Sequence, residues 1–280
     1  MLRLESETGW WLVTHVDHAN LAGAFADKWG NHLFRAPQPR ERVLKGIRRH
    51  DDGWRMRDAQ PQITRAGKPS AFSVELVGKY SAFEEIDLAD YLAVRERAVR
   101  LMAEEDAYAA LLVSMHTCNL LTERADRSTI ALAQLPLLDE FLLLQQQLQR
   151  GLRNRIVADP SLTSEEAGDS TILDHFRLLQ ATDNLSLLTC VDYRKPATLL
   201  HPLPLNDGTH CTIAVESIAE RTFVLDPYPF FESSLTFTFP ARHVEGKVFT
   251  SSEQLRQAFA AAPVSHLQVT VRQPLQQTKK

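Results

Sequence analysis

Apolar positions recur at intervals near 3.6 residues until about residue 192, after which alternation and turn residues take over. The first regime predicts helices over 17–29, 39–51, 87–102, 106–122, 134–157 and 171–191. Polar connections separate them, among them the proline-, glycine- and serine-bearing stretch 60–81 and the segment ADPSLTSEEAGDS, 158–170, which reads as a mobile loop. Beyond Pro196 the runs CTIAVESI, RTFVLDPY and SSLTFTF predict short antiparallel strands, followed by a helix in SSEQLRQAFAAA and a last strand in HLQVTVRQ. The expected architecture is mainly α: a helical domain over 1–194 with a small antiparallel β-rich C-terminal module over 195–280.

Composition narrows the function classes. The 280 residues are 44% hydrophobic and 24% charged, enough to bury a sizeable core. A net charge of −4 argues against general binding of nucleic acid or anionic membranes, both of which need clustered positive charge. Cys118, Cys190 and Cys211 are odd in number and lack CxxC spacing, so neither a disulfide framework nor a zinc ribbon is expected. The N-terminus lacks a secretion-signal pattern and no apolar run reaches membrane-spanning length, so a cytoplasmic, soluble protein is expected.

The helices carry an unusual set of polar residues on their apolar stripes. In RERVLKGIRRHDD, His50 and Asp51 follow Val43 and Ile47 on the buried side. His18 shares a face with Ala22 and Ala26, and His116 continues the stripe of Ala109, Leu112 and Val113. Asp183 continues that of Ile172, Phe176 and Leu179. An isolated carboxylate inside a core costs several kcal/mol unless paired, protonated or metal-bound. Two such aspartates among histidines point to a shared cation, with a structural hydrogen-bond cluster as the open alternative.

These residues carry a resemblance. The order His18, His50-Asp51, Asp183 is similar to the H…HD…D order of the HD-domain superfamily of helical metal-dependent phosphohydrolases, and His50-Asp51-Asp52-Gly53 matches its HDxG form. The combination WLVTHVDHANLAG, RHDDGW, SMHTCNLL and LLQATDNLSL resembles more narrowly a bacterial family of unknown function regarded as HD-like. The likeness covers roughly residues 10–192, and more weakly the β-rich tail.

The resemblance implies an HD-like helical bundle in which His18, His50, Asp51 and Asp183 bind a divalent transition metal. Mixed imidazole and carboxylate ligands suit Mn, Fe, Co, Ni or Zn better than calcium. It further implies that Asp51 orients the attacking water with Asp52 acting from behind it, unless Asp52 only caps the turn at Gly53, and that His116 touches a substrate phosphate or a second ion. Lys45, Arg48 and Arg49 would receive phosphate, although neighbours on one helix cannot all face the metal. His15, three residues before His18, either shares its face beside the substrate or is a solvated helix-end histidine, and Trp54 reads as a packing residue that closes the floor of the substrate site. The expected activity is hydrolysis of a phosphorylated small molecule such as a nucleotide. The alternatives are a non-catalytic ligand- or metal-binding protein and a di-iron oxygenase, and a homo-oligomer is compatible with either.

Overall fold

The computed structural model describes residues 1–78 and 87–275, so the last residues of the 60–81 connection lie outside the described residues. Six long helices form where the periodicity places them: α1 (His15–Lys28), α2 (Arg40–Arg49), α4 (Leu88–Glu105), α5 (Ala107–Thr122), α6 (Leu135–Val157) and α7 (Asp169–Cys190), with the single-turn α3 (Arg55–Asp58) after α2. Their starts are fixed by local chemistry. The Thr14 hydroxyl accepts from the backbone of Asp17 ahead of α1, and the carboxylates of Asp87 and Asp106 accept from the first turns of α4 and α5.

The β structure departs from expectation. Strands β1 (Leu2–Glu5) and β2 (Gly9–Val13) open the chain. Strands β3 (Ala197–Thr198), β4 (Leu203–Pro204), β5 (His210–Cys211), β6 (Ala214–Ala219), β7 (Thr222–Asp226), β8 (Ser234–Glu245) and β9 (Val264–Arg272) follow α7, with α8 (Ser252–Ala261) between the last two. Seven of them make one curled sheet in the order β1-β2-β8-β9-β7-β6-β3, antiparallel except for the β7–β9 pair. The chain is 48% helix and 21% strand, which overturns the mainly α architecture with a small β module. The physical reason lies in β1 and β2. Strands of four and five residues are too short to declare a period; β1 pairs with β2, and β2 is held by β8 at the other end of the chain, with Trp10 opposite Val244.

The sheet and helices share one core. Phe223, Leu225, Phe239, Ala241, Val269 and Val271 from the sheet join Phe25 of α1, Ile47 of α2, Leu112 of α5 and Leu179 of α7 in a single buried cluster. The Phe25 and Phe237 rings meet edge to face at 4.7 Å, which docks α1 onto β8. Past Ala241 the strand changes phase, and Val244 packs instead with Trp10, Leu12, Phe249 and Leu255 in a second cluster beneath α8. Strands from both sides of residue 194 therefore serve the same sheet.

The segment 158–170 is pinned rather than loose. Arg42 donates to Asp159 at 2.7 Å and to Ser161, while Tyr108 donates to the Glu166 carbonyl at 3.1 Å. The same Tyr108 hydroxyl lies 2.7 Å from Nδ1 of His175 on α7.

Two outcomes are expected. Phe25→Ala should remove about 3–5 kcal/mol of stability in denaturant unfolding, because Phe25 is fully buried against the sheet; a loss below about 1 kcal/mol would mean that the helix–sheet contact is not a main support. Burial lowers the pKa of His175 from the ordinary 6.5 to about 4, so unfolding lets it take up a proton. Its contribution is complete above pH 6.5 and is lost as pH falls toward 4. A buried histidine with that shift accounts for on the order of 3 kcal/mol across the window, and His175→Gln should flatten the decline in a pH series of unfolding curves.

Candidate metal centre

The stretch RRHDDGW ends α2 at the place where four helices converge. His50 is the last residue with helical geometry, and Asp51 leaves the helix to begin the turn Asp52–Trp54. Gly53 makes that turn possible: a Cβ there would collide with the Val94 carbonyl oxygen of α4. The close approach lets Arg95, one residue further along α4, reach Asp51.

Four of the expected residues and His116 come together. His18 arrives from α1, His116 from α5 and Asp183 from α7, and none of the five is more than 6% exposed. Nε2 of His18 is 3.0 Å from Oδ2 of Asp51, and Nε2 of His50 is 3.3 Å from Oδ1 of Asp183 and 3.8 Å from Oδ2 of Asp51. Two triads of donor atoms, His18/His50/Asp51 and His50/His116/Asp183, each fit within 4.8 Å.

Hydrogen bonds fix what these rings can do. His50 Nδ1 lies 2.7 Å from the Ile47 carbonyl, which only accepts, so the proton of the neutral ring sits on Nδ1. The Ser186 hydroxyl gives its proton to the Asp183 carbonyl, so the Nδ1–H of His18 donates to Ser186 at 2.9 Å. Both neutral imidazoles therefore turn Nε2 lone pairs toward carboxylates, an arrangement that needs a proton or a cation between them. Nε2 of His50 makes no aligned hydrogen bond despite its burial. Anchoring of Nδ1 by an oxygen acceptor is also how proteins orient metal-binding histidines.

The electrostatics follow. Burial alone would lower the His50 pKa, but the Asp51 and Asp183 carboxylates raise it to about 9. Burial alone would raise both aspartates; the Arg95 guanidinium and His50 hold Asp51 well below the usual carboxylate range, and His50 lowers Asp183. Desolvation drives His116 down to about 3, so its ring is neutral. The Gln180 amide, 2.7 Å from His116 Nδ1, can donate to a bare Nδ1 or, rotated, accept from Nδ1–H and release Nε2 for coordination.

The other expected residues have other partners. Lys45 lies 3.9 Å from Asp106, Arg48 lies 3.6 Å from Asp27, and Arg49 pairs with Asp52 and Glu105. The reason is helical phase: α2 buries Val43, Leu44, Gly46 and Ile47, leaving these cations on its outer side. Asp52, clasped by Arg49 and Arg55, stays with that outer network. Trp54 stacks on His15 at 4.3 Å and meets Tyr91 edge-on. His15 itself is held by Asp58 at 2.9 Å and by the Met1 amino group.

Arg95 escaped the sequence reading. Its Nη1 donates to Oδ1 of Asp51 at 2.5 Å and its Nε to the Tyr91 hydroxyl at 3.1 Å, and the guanidinium lies over Trp54 and Tyr91. The signal was present: Leu88, Tyr91, Leu92, Ala98, Val99 and Met102 trace the buried stripe of α4, and Arg95 stands in it.

A family model for a protein of unknown function, DUF3891, matches residues 1–246, from β1 to the end of β8, and the chain belongs to that family. No curated protein and no solved structure matches the chain. The expected membership of the HD-domain superfamily is overturned: no HD-domain family matches, and a curled half-barrel sheet accompanies the helices. Short histidine and aspartate motifs on helix faces suit any converging helices and do not fix their connectivity.

Asp51→Ala should cost the metal-free protein about 3–5 kcal/mol, because it strands a buried arginine. Adding Arg95→Met should recover part of the loss in a double-mutant cycle. Additive losses would show that the pair is not energetically coupled.

Proposed function

We propose that this DUF3891 protein binds a single divalent transition-metal ion, of the class Mn, Fe, Co, Ni or Zn, through His18, His50, Asp51 and Asp183, and hydrolyses a phosphorylated small molecule there. The observation that carries the reading is the commitment of both Nδ1 atoms to oxygen acceptors, which leaves two buried imidazole lone pairs facing two buried carboxylates. Donors about 2.0–2.2 Å from a common tetrahedral centre stand roughly 3.3–3.6 Å apart; His18–Asp51, His50–Asp183 and His50–Asp51 stand at 3.0, 3.3 and 3.8 Å, and because the atoms within 4.8 Å of one another group as His18/His50/Asp51 and His50/His116/Asp183, the ion would draw Asp183 toward the first triad.

The donor set supports one ion rather than two. Both candidate triads use His50, whose Nδ1 is spent on Ile47 and whose Nε2 offers one lone pair. A di-iron oxygenase would need that atom twice or a different ligand set. His116 is the residue that can complete the shell of the same ion or contact substrate, according to the orientation of Gln180.

A divalent ion in this set supplies Lewis acidity, lowering the pKa of water and withdrawing charge from a phosphoryl oxygen. The chain's own groups would hold the ion, keep Asp51 in register through Arg95, and exclude bulk water by burial. That same burial favours a second reading, a metal-binding protein without turnover, and an assay with phosphomonoesters and nucleotides separates the two.

Elemental analysis of protein purified without chelator, or reconstituted with each metal in turn, should give one equivalent per chain. His18→Ala and His50→Ala should each abolish retention, while His116→Ala should keep it and depress turnover. Wild-type protein that retains none of the five metals would overturn the proposal, and two equivalents would overturn the single-ion form.

A further inference from the structure

Arg95 is a buried cation whose charge exceeds what the centre needs. In the proposed metal-bound state the carboxylates of Asp51 and Asp183 together match one divalent ion, and the imidazoles coordinate as neutral ligands. The guanidinium then leaves one positive charge over in a site from which water is largely excluded, and an uncompensated charge at such depth is costly. The guanidinium is also incompletely used. Nε serves Tyr91 and Nη1 serves Asp51, whereas Nη2 makes no hydrogen bond to a described residue. Arg95 is only 7% exposed, and its guanidinium carbon lies 5.3 Å from the centroid of Trp54. The indole nitrogen of Trp54 is itself buried without a partner among the described residues.

We propose that Arg95 is the anion receptor of the site: a phosphoryl oxyanion lies against its free Nη2 edge beside the metal, and Trp54 and Tyr91 hold the guanidinium plane that receives it. This inference rests on the metal-centre reading and deepens it, since it transfers substrate recognition from Lys45, Arg48 and Arg49 on the outer side of α2 to one residue of α4. A planar guanidinium suits the task because it can keep one N–H on Asp51 while presenting another to a tetrahedral oxyanion. Arg95 also restrains Asp51 by occupying Oδ1, which leaves Oδ2 on the side of His18 and His50.

The test uses full-length protein loaded with one equivalent of zinc or manganese and titrated with inorganic phosphate by calorimetry, with metal content measured on the same samples. Wild-type protein should bind phosphate when loaded and at least tenfold more weakly when metal-free. Arg95→Gln should retain the metal yet bind phosphate at least tenfold more weakly, and Arg95→Lys, which keeps the charge but loses the fork, should fall between. If Arg95→Gln does not fold, the lysine variant and the wild-type comparison still decide. Loaded wild-type protein that ignores phosphate, or arginine variants that bind it as wild type does, would overturn the receptor role while leaving the metal centre standing. Failure of wild-type protein to retain metal would overturn the reading beneath it, and the receptor role with it.

Discussion

The Asp51 carboxylate is the group on which the arrangement depends. It is buried at the meeting of α1, α2, α4 and the helices behind them, and each of its oxygens has a separate duty: Oδ1 binds Arg95 and Oδ2 faces His18 and His50. A charge at that depth is tolerated only when matched, so the residue constrains everything near it. Gly53 must be small to bring α4 within reach, Tyr91 and Trp54 must hold the guanidinium, and Ser186 and Ile47 must take the Nδ1 protons of the two imidazoles. The centre is thus specified by second partners as much as by its own histidines and aspartates.

The curled sheet supports this centre without contributing any of the candidate ligands. Its inner face packs through Phe237 against Phe25 of α1, the helix that carries His18, and its register is set by pairing β2 and β9 on either side of β8. The family match ends at residue 246, just beyond β8, so it contains every candidate ligand together with the strand on which α1 rests. No helix among the described residues is long and apolar enough to cross a membrane.

Legibility in the sequence followed the range of the interactions. Helices declare themselves locally, and His18, His50, His116 and Asp183 could be picked out because a polar residue inside an apolar stripe is visible at a spacing of about 3.6. Arg95 obeyed the same rule in α4 but was passed over, standing in a stretch that also carries Arg97 and Arg100. The fold class was misread because the sheet depends on contacts between the two ends of the chain: LRLE and GWWLV carry too few residues to show alternation, and the hairpin they form joins the sheet only where β2 pairs with β8. The orientation of Lys45, Arg48 and Arg49 was open to inspection, since the buried face of α2 excludes them, but the resemblance drew attention to their proximity in sequence instead.

X-ray absorption at the metal edge of protein loaded with one equivalent of zinc or cobalt tests the central claim most directly. The account predicts a first shell of nitrogen and oxygen at about 2.0–2.1 Å, with imidazole multiple scattering from at least two rings. A shell containing sulfur, or one with no imidazole contribution, would contradict it.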